Sequence, residues 1–173
     1  MNVMDFSDPS VSQAWHAIDD RVMGGMSQSC LRHDPAGFAV FEGVMSLDQG
    51  GGFASVRTDL LRDAESESWR LPEECDALVL EACGDGKAYK LSLRMDRRFD
   101  GISYQATFQP PAGIWSRIRL SIQDFVAAYH GKPVPGAPPL VLDRVCQIGF
   151  VIARQAHPQD GPFRLAIRSI RAD

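Results

Sequence analysis

Asp19 and Asp20 stand side by side ahead of a glycine pair in the run "DDRVMGGMS", Asp19 to Ser27. Two kinds of chemistry use such residues. Two carboxylates in contrasting surroundings can work as general acid and base. Glycines that open a helix can cradle a phosphate on their N–H groups. The spacing fits neither. Adjacent residues of an extended segment point to opposite sides, so Asp19 and Asp20 do not face each other. Gly24 and Gly25 lead into "MSQS" with no lysine and no helical pattern, which argues against a phosphate loop. In "GDGKAY", Gly84 to Tyr89, no glycine stands five positions before Gly86, and Ala88 replaces the metal-binding hydroxyl.

Other reactive constellations are absent. His16, His33, His130 and His157 are isolated from one another, so zinc-type spacing is lacking. A calcium ion among loop carboxylates near Asp19, Asp20 or Asp48 is conceivable, but nothing specifies one. No G-x-S-x-G elbow occurs, and sequence alone brings no cysteine beside a histidine. We therefore expect no catalytic residues, no metal and no cofactor: a binding protein rather than an enzyme. A formal charge of −4 gives no general pull toward nucleic acid or an anionic membrane. No ribonucleoprotein motif appears, so no nucleic-acid partner is expected.

The elements that must position these residues are strands. Period-two alternation runs through "GFAVFEG" (Gly37 to Gly43), "FASVRT" (Phe53 to Thr58), "ALVLEA" (Ala77 to Ala82) and "AYKLSLRM" (Ala88 to Met95). It continues in "SYQATF" (Ser103 to Phe108), "WSRIRLSI" (Trp115 to Ile122), "QIGFVIA" (Gln147 to Ala153) and "FRLAIRSI" (Phe163 to Ile170). Glycine, proline and aspartate turns separate them. Helical signals are confined to Ser10–Ile18, with Ser10 as candidate N-cap, and to a turn or two in "SIQDFVAAYH". "GKPVPGAPP", Gly131 to Pro139, reads as an irregular surface loop. This order predicts an all-β fold, a two-sheet antiparallel β-sandwich of jelly-roll type with one or two short helices. Its 173 residues suit a single domain over 1–173.

Alternation also predicts faces. Tyr89, Leu91, Leu93 and Met95 form a core side, and Lys90, Ser92 and Arg94 the other. Phe53, Ser55 and Arg57 lie opposite Ala54, Val56 and Thr58. Tyr104 and Phe108 lie opposite Ser103, Gln105 and Thr107. Ile118, Leu120 and Ile122 point inward, and Arg117 and Arg119 outward. If Arg57, Lys90 and Arg94 converge, they form a concave sheet face for a polar or acidic ligand; if they scatter, they are ordinary solvated surface.

No apolar run approaches the length of a bilayer span, and "MNVMDFSDPS" lacks the marks of a secretory signal. Cys30, Cys75, Cys83 and Cys146 are unevenly spaced with no C-x-x-C pair. Cys83 and Cys146 read as buried free thiols in a reducing compartment.

Trp15 followed by "DDRVMGGMS", then "FEG", "GGFASVRT", "GDGKAYKLSLR", "SYQATF", Trp115, "IGFVIA" and "GPFRLAI" together resemble the complex I intermediate-associated protein 30 family. The resemblance runs over nearly the whole chain. It implies a galactose-binding-domain-like β-sandwich, a fold shared with carbohydrate-binding modules. It also implies an assembly-factor or chaperone-like role, with a respiratory-complex or membrane-protein assembly intermediate as protein partner, and a location in the bacterial cytoplasm, or in the mitochondrion if a transit peptide has been removed. The alternative is a carbohydrate-binding module using a concave sheet face. The match carries over onto Trp15, Asp20, Val22, Met23, Gly24, Gly25 and Ser27, and onto Gly51, Gly52, Phe53 and Arg57. It continues on Gly84, Asp85, Gly86, Tyr89, Tyr104, Trp115, Gly161, Pro162 and Phe163. Asp19, Asp20 and Arg21 depart from a frequent Asn-Asp-Gly, and Gly50 from a frequent Asn. Arg57, Lys90, Arg94, Tyr104, Gln105, Met23 and Ser27 are the expected binding residues, with Trp115 and Met26 as further contacts. Asp20 is expected to anchor its loop by accepting backbone N–H groups or bridging to Arg57.

Overall fold

A computed structural model of the chain describes residues 1–19, 25–48, 52–60, 71–98 and 100–173. Its elements run β1 (Asn2–Asp5), α1 (Pro9–Gln13), β2 (His16–Ala17), β3 (Gln28–Asp34), β4 (Phe38–Met45), β5 (Phe53–Asp59) and β6 (Ala77–Cys83). They continue with β7 (Tyr89–Arg94), β8 (Ser103–Phe108), β9 (Trp115–Ser121), β10 (Val126–Tyr129), β11 (Lys132–Pro133), β12 (Gln147–Ala153) and β13 (Gly161–Ala172). One sheet has six strands in the order β3-β4-β13-β6-β9, with β1 also on β13; the other has seven, β11-β10-β8-β7-β12-β5-β2. Every strand pair is antiparallel. The sandwich expected from alternation is the architecture observed.

The two sheets close on one apolar core. β4 and β13 contribute Phe41 and Phe163, whose rings meet at 5.0 Å. β7 and β12 contribute Tyr89 and Phe150, and Trp15 stacks on Phe150 at 5.5 Å. Edge-to-face and offset geometries of this kind add to the burial of each ring. The core side read for β7 is buried at Tyr89, Leu91 and Leu93, each 0% exposed.

Local chemistry corrects three boundaries. α1 is capped by Asp8, which accepts from the Ser10 N–H at 2.9 Å; Ser10 is therefore inside the helix, one residue after a proline well suited to the first turn. The helix ends at Gln13 rather than Ile18, because His16 and Ala17 pair with β5. "SIQDFVAAYH" holds one 3-10 turn, Ile122–Asp124, and then becomes β10. All four cysteines are free; Cys146 is buried, whereas Cys83 is only half-buried because it points outward from β6.

The "GDGK" turn has a definite job. Asp85 accepts from the Lys87 N–H at 3.1 Å, the Tyr89 hydroxyl at 2.9 Å and the Arg164 N–H at 2.8 Å. It thereby joins β7 of one sheet to β13 of the other. Burial first, then the Asp85 charge, pushes the Tyr89 phenol well above its ordinary value. Asp85→Asn aims an amide donor at these donors, so we expect a loss of about 1–3 kcal/mol, read as a lowered midpoint in thermal melts.

Candidate functional site

The outer face of the seven-stranded sheet carries a cleft of about 630 Å³. Its floor follows from strand register. Arg57 on β5 pairs with Gly149 on β12, Gly149 with Ser92 on β7, and Ser92 with Gln105 on β8. One row of outward positions thus crosses four strands. Lys90 and Arg94 flank Ser92 on the same face of β7. Arg57, Lys90, Arg94 and Gln105 all line this one cleft.

Loops build its walls. β10 and β11 turn through His130 and Gly131, at φ 50° and 76°, the left-handed pair of a type I′ hairpin. Asp100 pins this turn, binding His130 Nε2 at 2.5 Å and the Tyr129 hydroxyl at 3.0 Å. Those two bonds hold its carboxyl below the usual range. At the opposite end, Gly52 lies beneath the Arg154 side chain, where an added Cβ would strike the guanidinium Nε and Cδ. This φ of +148° also favours glycine.

The cations are partly withdrawn from water. Arg94 is 6% exposed, its Nη2 donating to the Arg98 carbonyl at 2.5 Å and lying 3.6 Å from Asp96. Burial, followed by the neighbouring Arg94, pushes Arg57 down from its ordinary value. Burial alone does the same to Lys90. The two guanidiniums repel each other in this half-desolvated cleft, and the charges of Asp59 and Asp96 near Arg57 and of Asp96 and Asp100 near Arg94 offset part of that repulsion.

The remaining expected contacts lie elsewhere. Tyr104 is corrected: its ring belongs to the core, 4% exposed, and its hydroxyl donates to the Pro138 carbonyl at 2.5 Å. Alternation on β8 requires this, since Gln105 faces out. Ser27 is likewise corrected: it is 0% exposed, and its Oγ accepts from the Ser46 N–H at 2.9 Å. Trp115 packs on the outer face of the other sheet, 5.2 Å from the Phe38 ring and 3.9 Å beneath the Arg168 guanidinium. Gly25 is buried and Met26 exposed. Asp20, Arg21, Val22, Met23, Gly24, Gly50 and Gly51 lie outside the described residues.

Asp20, expected to anchor its loop, lies outside the described residues, and anchoring chemistry of that kind is seen at its neighbour Asp19. This carboxylate, 3% exposed, accepts from the Ser29 N–H at 2.9 Å, the Ser29 hydroxyl at 2.5 Å and the Ser55 N–H at 3.0 Å. Ser29 lies near the start of β3 in one sheet and Ser55 on β5 in the other, so Asp19 fastens the sheets together beside the cleft.

Ser55, Ser103, Gln147, His130, Lys132 and Arg154 line the cleft as well. Alternation puts Ser55 on the face of Arg57 and Ser103 on the face of Gln105, and Gln147 shares its face with Gly149. The loop residues had no such signal. Among the described residues, no group of three or more His, Cys, Asp or Glu is placed to hold a metal. No helix of the described residues is long and apolar enough to cross a membrane.

Residues 4–167 match the family described as Complex I intermediate-associated protein 30. The chain is 29% identical over 178 residues to an uncharacterised protein of Schizosaccharomyces pombe, covering 92% of this chain and 78% of that protein. It is 26% identical to the mitochondrial complex I intermediate-associated protein 30 of Drosophila melanogaster, covering 95% of this chain but only 60% of that protein. Among solved structures, the family 11 carbohydrate-binding module of a Clostridium thermocellum cellulosomal cellulase superposes with a TM-score of 0.63. That likeness covers 92% of this chain and 86% of the module, and at 13% identity it is one of fold alone.

Proposed function

The chain belongs to the complex I intermediate-associated protein 30 family, and from that premise we propose that it is a non-catalytic binding module of the assembly-factor kind. It holds a protein partner, a respiratory-complex or other membrane-protein assembly intermediate, against the cleft of the seven-stranded sheet. The observation that carries this reading is the convergence of Arg57, Lys90, Arg94 and Gln105 from three strands on a single cleft. Partly buried cations on strands are preorganised for recognition, which lowers the cost of binding. The free thiols support a reducing setting, and the bacterial cytoplasm is the one proposed.

A photo-crosslinking residue at Gln105, expressed in the native host, tests the proposal by mass spectrometry of the adducts. The expected adduct is a subunit or assembly intermediate of a membrane complex. Adducts confined to unrelated abundant proteins would sink the idea.

One feature favours a second reading. The floor carries Ser55, Ser92, Gln105 and Gln147, hydroxyl and amide groups able to bond sugar hydroxyls, so a carbohydrate ligand is the alternative. A glycan array probed at high protein concentration decides it: strong uptake by a neutral glycan supports it, and a blank array removes it.

A further inference from the structure

We propose that the cleft selects an extended acidic peptide segment of its protein partner, whose carboxylates meet Arg57, Lys90 and Arg94 around the bare backbone of Gly149. This rests on the binding-module reading and names the chemistry of the partner.

The geometry begins with what is missing from the floor. Gly149 lies between Arg57 and Ser92 in the register of the sheet. A Cβ there would come within 2.7 Å of the Val56 carbonyl oxygen and 3.1 Å of the Arg57 Cβ, so the position stays bare. The result is a depression with cationic residues at three corners. Lys90 and Arg94, four residues apart on one strand, have backbones about 13 Å apart, and Arg57 is two strands away, about 10 Å. A single phosphate does not span such a set. A ligand with several separated negative groups does.

Charge on the cleft is one-sided. Arg57, Lys90, Arg94, Lys132 and Arg154 line it with one lining carboxylate, Asp100, among the described residues, and Asp96 stands 3.6 Å from the Arg94 guanidinium. The whole chain carries a net charge of −4, so this concentration of cations opposes the average. Asp100 is already bound to His130 and Tyr129. Lys90 has no acidic partner among the described residues, and burial weakens the hold of its ammonium on the proton. An incoming carboxylate restores the solvation that the fold removed.

The apolar part of the cleft separates peptide from sugar. Phe53 is the one Phe, Tyr or Trp lining it among the described residues, which leaves little flat aromatic surface for a pyranose ring. Ile18, Val151 and Ala153 offer aliphatic surface instead. Side chains of an extended peptide project alternately, so acidic residues can meet the cations while apolar ones rest on this strip.

The test uses the full chain and a fluorescent peptide of alternating Glu and Val, with a Lys–Val peptide and an oligogalacturonate as comparators. Anisotropy should report binding of the Glu–Val peptide alone, weakened by added salt. Lys90→Glu should weaken it about tenfold or more, and Arg57→Gln should weaken it too, with melting temperatures held near the parent's. Arg117→Glu, on the exposed face of β9, should leave it unchanged. Equal binding of the Lys–Val peptide, indifference to Lys90→Glu, or tighter binding of the oligogalacturonate overturns the proposal. Native-host adducts at Gln105 that persist undiminished in Lys90→Glu would remove the acidic segment and leave the binding-module reading standing. Glu–Val binding without any native membrane-complex adduct would instead support the acidic cleft and remove the assembly role.

Discussion

Asp19→Ala is expected to cost about 3–5 kcal/mol, because it strips the acceptor from three donors in a nearly dry site. Two of those donors are backbone N–H groups, on Ser29 and Ser55, which cannot turn toward water without leaving their strands. The third, the Ser29 hydroxyl, has a second acceptor within reach at the Ser55 carbonyl, 3.3 Å away, and so loses less. For a chain of this length the loss corresponds to a fall in melting temperature of roughly 10 °C. Asp19→Asn keeps the shape and one acceptor oxygen but turns an amide donor toward a donor, so an intermediate loss of about 2 kcal/mol is expected. Urea titration should show an earlier midpoint with an unchanged slope. An alanine variant that melts with the parent would mean that the two sheets do not depend on this clamp.

The location of that clamp shows how far a strand pattern can be read. Asp19 faces inward, and the parity that puts it there depends on where the preceding strand ends. β2 is only His16–Ala17, too short to display a pattern. Long strands gave no such difficulty. β5 sets Ser55 and Arg57 on one side, as its alternating burial shows; on β7 Ser92 and Arg94 are buried too, and they fall with Lys90 because all three line the cleft. Strand order then had to bring β5, β12, β7 and β8 side by side, and nothing local in any one strand encodes that adjacency.

Tyr104 carries the opposite lesson. Its alternation with Gln105 sets it on the core side, and only its chemical type speaks for a binding role. Period outranks type when the two conflict. The walls of the cleft were not readable at all. His130 and Lys132 reach it only because a two-residue turn doubles β10 back onto β11, and Arg154 only because Gly52 leaves room beneath it.

Gly43→Ala is the second large effect expected, a loss of about 3 kcal/mol or more, with Gly43→Val failing to fold. Gly43 lies inside the six-stranded sheet, paired with Ser29 on one side and Phe163 on the other. An added Cβ would collide with the Gln28 carbonyl oxygen and come within 2.8 Å of the Ser29 Cα. Both obstacles are backbone, so no rotamer change relieves them. The close approach has a cause in the clamp: the Ser29 N–H and hydroxyl are drawn to Asp19, which holds the start of β3 over Gly43. Loss of Asp19 frees that segment to move away, and part of the collision is then relieved. The double variant Asp19→Ala with Gly43→Ala should therefore lose less than the sum of the single losses, by about 1 kcal/mol or more. Additivity to within about 0.5 kcal/mol would show that the glycine and the carboxylate act independently. The expected coupling would identify one joint, at Ser29, that fixes how the sheets meet along the edge of the cleft.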